Sequence, residues 1–130
     1  MALQRLNIEQ KRASAAFNFA EAQSSNKNYG SYAKKMPMYI LNNGLANALA
    51  FAYSKSDWKP LYNDIETWFL NEPQDFIKVK LNQKKLSLLD KEKDKALIKT
   101  ILELEDNELR QVTNEVLALF SWLRRFVKED

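Results

Sequence analysis

Met36–Ser54, MPMYILNNGLANALAFAYS, combines features that single helices rarely share: a proline near the start, an apolar stripe, an Asn-Asn-Gly break and a line of small residues. Ile40, Leu41, Leu45, Leu49 and Ala52 fall at helical spacing on one face. Gly44, Ala48 and Ala52 form a small-xxx-small line beside it, along which two backbones can approach closely. A glycine inside a helix costs roughly 1 kcal/mol relative to alanine, so Gly44 implies a contact that would not tolerate a methyl group. Pro37 lacks an N–H and disfavours the α region at Met36, so a new helix starts there or a longer one kinks. Asn43 and Asn47, four apart, offer an amide ladder to the bundle or to a partner.

Toward the N-terminus, Leu3, Leu6, Ala13, Phe17 and Ala20 recur at helical steps, interrupted at Gln10, and give an amphipathic helix to about Gln23. Residues 24–30, SSNKNYG, favour turns and read as a loop with scope for mobility. Toward the C-terminus, Ser54-Lys55-Ser56-Asp57 supplies a turn and an N-cap for a helix in which Leu61, Ile65, Trp68 and Phe69 share a face. Trp58 and Trp68, at or beside apolar positions, read as core anchors. Residues 71–87 are ambiguous, because Ile77, Val79 and Leu81 alternate with lysines but have no partner strand. They read as an irregular connector. A helix follows from about Ser87 to Leu104, and after a linker capped by Asp106 the seam Leu109, Val112, Val116, Phe120, Leu123 and Val127 marks the last helix. The expectation is an all-α fold, a compact single-domain bundle of about five to six helices over residues 1–130.

The chain has no cysteine and no histidine. That removes disulfides, thiol catalysis, Ser-His triads and the usual zinc sites, and no cofactor or metal is expected. No apolar run approaches the roughly 20 residues of a membrane span, and a cytoplasmic protein is expected. Net charge is +3, unevenly placed: residues 1–60 carry eight Lys/Arg against three Asp/Glu, and residues 61–130 carry twelve against fourteen. The basic first half favours polyanionic partners. Carboxylates two apart, such as Asp64 and Glu66, point apart on a helix. No acid/base pair is nominated, and neither enzymatic activity nor a small-molecule substrate is expected.

Several spaced motifs carry a family likeness: Met36-Pro37, Asn43-Gly44-Leu45 and Leu49-Ala50-Phe51 in the centre, Arg12-Ala13 with Ala16-Phe17 in the first helix, and Arg110, Thr113, Glu115 and Trp122-Leu123-Arg124-Arg125-Phe126 in the last. The set resembles the small subunit of the type III-B (Cmr-type) CRISPR RNA-targeting effector complex. It departs from that pattern at Asn47, where glutamine is usual, at Leu109, where tyrosine is usual, and over residues 71–90, which match none of it.

The resemblance implies a non-catalytic helical bundle that stacks with copies of itself and with other effector subunits. It also implies contact with the crRNA and target RNA backbone without base readout. Arg12, Lys34, Lys35, Arg110, Arg124 and Arg125, in or beside the matched motifs, are the candidates for phosphate contact. Two other readings compete: a purely structural protein–protein module joined through its small-residue and aromatic faces, and an uncharacterised helical enzyme.

Overall fold

A computed structural model describes residues 7–71 and 75–127. Seven α-helices occupy them: α1 Ile8–Ala22, α2 Tyr29–Asn43, α3 Leu45–Ser54, α4 Lys59–Asn71, α5 Asp75–Ser87, α6 Ala96–Leu102 and α7 Asp106–Phe126. A 3₁₀ segment, Asp90–Lys95, leads into α6. There is no strand among the described residues. The all-α class is as expected, but the count exceeds five to six because two stretches of sequence hide helices.

Gly44 is responsible for the first. The helix passes through Pro37 and stops at Asn43, where Gly44 takes φ +85° and ψ 157°. Its N–H donates to the Ile40 carbonyl (2.7 Å) and its own carbonyl accepts from Ala48 N–H (3.1 Å), so one residue closes α2 and opens α3. A Cβ built there meets nothing within 4 Å. The close-packing role expected of Gly44 is therefore incorrect, because the position requires a backbone conformation rather than space. Ala48 and Ala52 do pack closely: with Leu45 and Leu49 they are the buried residues of α3, which touches α2, α4 and α6.

The second hidden helix is α5. Ile77 and Leu81 are buried four residues apart, while Val79 is 53% exposed, so the alternation that suggested a strand comes from an outward valine. The expected irregular connector is thus helical from Asp75 onward, Asn71 closes α4, and the residues between lie outside those described. Downstream, the charged run DKEKDK forms the 3₁₀ segment rather than the opening of an α-helix, and Leu89 is exposed. In the stretch read as a loop, Tyr29 and Gly30 already belong to α2 and are buried.

Side-chain bonds fix the helices relative to one another. Tyr29 Oη donates to Asp64 Oδ2 at 2.6 Å, tying α2 to α4. Tyr62 Oη accepts from Ile98 N–H at 3.3 Å and so satisfies a donor that the first turn of α6 leaves free. The core is lined by Leu61, Tyr62, Ile65 and Phe69 of α4 and by Val112, Val116, Leu119, Phe120 and Leu123 of α7, with α1 and α2 both packed on α7.

Alanine at Gly44 is expected to destabilise the fold by about 1–3 kcal/mol through backbone strain alone. Urea denaturation of Gly44→Ala checks this, and a variant as stable as the parent would contradict it.

Candidate nucleic-acid interface

Of the six expected cations, Arg12 is the one the fold turns inward. Its Nε donates to Glu115 Oε2 (2.7 Å) and its Nη2 to Glu115 Oε1 (2.6 Å), a bidentate pair across α1 and α7. Nη1 donates to Glu9 Oε1 at 2.7 Å. Glu115 is 2% exposed, and its Oε2 also accepts from Trp68 Nε1 at 3.1 Å. The bond to Glu115 pushes the guanidinium pKa further up despite partial burial, so the charge is permanent. Arg12 belongs to an interior network and is not placed on a surface for phosphate.

Lys34, Arg124 and Arg125 do meet. With Pro37 and Leu41 of α2 and Leu117 and Ser121 of α7 they line a groove of about 530 Å³ between the two helices. All three cations are exposed. The two arginines fall in the last turn of α7, where the helix dipole favours positive charge. Exposed Leu41 (66%) and Met38 (61%) add an apolar margin on α2.

Lys35 and Arg110 are placed elsewhere. One residue on from Lys34 means about 100° around the helix, and Lys35 Nζ lies 5.8 Å from the centroid of the Tyr32 ring. Arg110 is exposed on the Arg110–Leu117–Arg124 heptad line of α7, roughly 21 Å along the axis from Arg124 at 1.5 Å per residue. The lysines of α5 are largely committed within the protein: Lys84 to Glu103 (2.7 Å), Lys85 to Glu66 (3.2 Å) and Lys80 to Glu108 (3.9 Å).

A family model described as CRISPR-associated protein (Cas_Cmr5) matches residues 8–129, nearly the whole chain and all six candidate cations. The chain belongs to this family. It is a small subunit of the type III-B Cmr assembly, as the motif set implies, and its family is part of a multi-subunit CRISPR complex. The family match extends across residues 71–90, where no motif was legible. Among the described residues no helix is long and apolar enough to cross a membrane.

Sequence reasoning missed the acidic partners. Glu115 lies on the buried face of α7 between Val112 and Val116, a carboxylate on an apolar seam, and that pattern by itself calls for a cation opposite. Asp64 gave no such signal. Burial pushes its carboxyl up to about 6, only partly offset by the hydrogen bond from Tyr29.

Arg12→Ala leaves Glu115 buried without its counter-charge and is expected to cost about 3–5 kcal/mol, whereas Arg12→Met combined with Glu115→Leu should recover most of that loss. Urea titrations of both variants measure the difference. Asp64 gives a signed pH effect. With its folded value above the unfolded one, the native state binds the extra proton, so its contribution declines as pH rises through the window from about 4 to about 6. Asp64→Asn should match the parent near pH 4 and exceed it by at most about 3 kcal/mol at pH 8. Thermal unfolding at the two pH values tests this.

Proposed function

We propose that this subunit holds RNA in its effector complex by neutralising backbone phosphates, without base readout and without catalysis. The observation that carries the reading is the groove between α2 and α7, where Lys34, Arg124 and Arg125 converge from two helices. Cations that converge in this way make a site for a polyanion, and a continuous phosphate chain matches a row of charges better than an isolated anion does. Arg110 extends the row along α7, Lys35 faces a separate surface, and Arg12 is withdrawn from the set because its donors are already used. Sequence specificity would come from base pairing between guide and target, leaving this subunit to grip and align. A cytoplasmic role in antiviral defence follows from that reading.

A second reading, assembly through protein contacts alone, draws on exposed Met38 and Leu41 of α2. The two readings diverge in their salt dependence. Replacing Lys34, Arg124 and Arg125 together by alanine should weaken RNA binding by the assembled complex on the order of ten-fold near 0.1 M salt. The same change should reduce the slope of log affinity against log salt by about 2, at about 0.7 per phosphate contact. Filter binding across a salt series measures both. Unchanged affinity with intact assembly would favour the structural reading, and cleavage of RNA by the pure subunit with divalent metal would overturn the non-catalytic one.

A further inference from the structure

The aromatic residues divide into two populations. Tyr62, Trp68, Phe69 and Phe120 are buried in the core, and Trp68 spends its indole N–H on Glu115. Tyr32, Phe51 and Trp58 instead remain half-buried and line, with Lys55, Ser56 and Asp57, a pocket of about 290 Å³ open to solvent. Trp58, expected as a core anchor, is therefore a surface residue in part. The Tyr32 and Trp58 rings stack with centroids 4.4 Å apart and planes at 14°. Phe51 meets Trp58 edge-on, at 5.1 Å and 77°.

Two ammonium groups flank these rings. Lys35 Nζ is 5.8 Å from the Tyr32 centroid and Lys55 Nζ is 5.7 Å from that of Phe51. Neither forms a salt bridge among the described residues, in contrast to Lys59, which pairs with Asp94 at 3.3 Å. Three aromatic rings alone would suit a quaternary ammonium ligand. Here two cations already lie over the rings and would repel another, so the chemistry favours a ligand that is both aromatic and anionic.

Because Phe51 also stacks on Tyr39 at 4.8 Å, and Lys35 and Lys55 lie over Tyr32 and Phe51, we propose that Trp58 in this pocket is the stacking face for an unpaired base of single-stranded RNA, with Lys35 and Lys55 holding the adjacent phosphates. A π-face combined with positive charge along the backbone track is what sequence-tolerant binding of single strands requires. The Ser56 hydroxyl and the Asp57 carboxylate in the pocket lining offer a donor and an acceptor to the base edge. The site shares its RNA ligand with the α2–α7 groove but has no lining residue in common with it.

The test titrates the whole protein at low salt with a short oligouridylate and with an abasic ribose-phosphate chain of equal length, reading anisotropy of the labelled strand and tryptophan fluorescence. The abasic chain should bind about ten-fold more weakly. Trp58→Ala should bring RNA down to the abasic value without weakening the abasic chain further, and Trp58→Phe should keep the affinity while losing the fluorescence quench. The comparison of the two strands on the unaltered protein needs no variant to fold. Equal binding of the two strands overturns the proposal, as does the absence of binding by either. So does a Trp58→Ala protein that binds RNA normally but no longer associates with copies of itself or other subunits, since the pocket would then be a protein contact. The groove variant described above separates the two sites: it should weaken both strands alike and preserve their ratio. A ratio of one with salt-sensitive loss in that variant would leave the groove reading standing and the pocket reading refuted. A preserved ratio with no effect of the groove variant would do the reverse.

Discussion

The Arg12–Glu115 pair sets the arrangement on which the remaining surface depends. A carboxylate that is 2% exposed needs partners for its oxygens, and here Arg12 takes both while Trp68 adds a third donor. Because a bidentate pair fixes orientation as well as distance, it fixes which face of α1 lies on α7 and brings Trp68 of α4 to the same point. With one side of α7 covered by α1 and another by α2, Arg124 and Arg125 are left at the open side, beside Lys34. The chemistry of the groove is in this sense a by-product of an ion pair in the interior.

The same pair explains why α1 was misread in detail. Counting apolar residues put Ala13, Phe17 and Ala20 on the inward stripe and Arg12 off it; Ala20 is indeed buried, but so is Ala16, while Phe17 is 48% exposed, resting edge-on against Phe126 at 5.5 Å. Hydropathy places an arginine in water by default, and only knowledge of its partner, 103 residues away, reverses that. For purely apolar side chains, such as Leu61, Ile65 and Phe69 of α4, the periodicity was sufficient. Gly44 and the stretch around Ile77 failed for different reasons. A glycine's backbone angles leave no trace in hydropathy, and a solvent-facing valine imitates strand alternation.

The family motifs named the candidate cations only as a group. Whether a basic side chain meets phosphate or a carboxylate is decided by tertiary neighbours, which the motifs do not encode. The fold sorts them into an interior arginine, α5 lysines held by Glu66, Glu103 and Glu108, and exposed residues on α2 and α7. Net charge therefore overstates the surface available to a polyanion. Lys34 and Lys35 show how local the sorting is, since of two adjacent residues on one helix the first lines the groove and the second lies over the Tyr32 ring.

The distance in sequence between Arg12 and Glu115 also bears on how the chain is made. The first helix finds its principal partner only in the last one, so a nascent chain leaving the ribosome at about 5–20 residues per second carries α1 without that partner for roughly 5–20 s. Throughout that interval Arg12 and the Ala16–Ala20 face lack the α7 surface that covers them in the fold. A ribosome stalled short of Glu115 would therefore hold a chain whose first helix has no partner for its buried face.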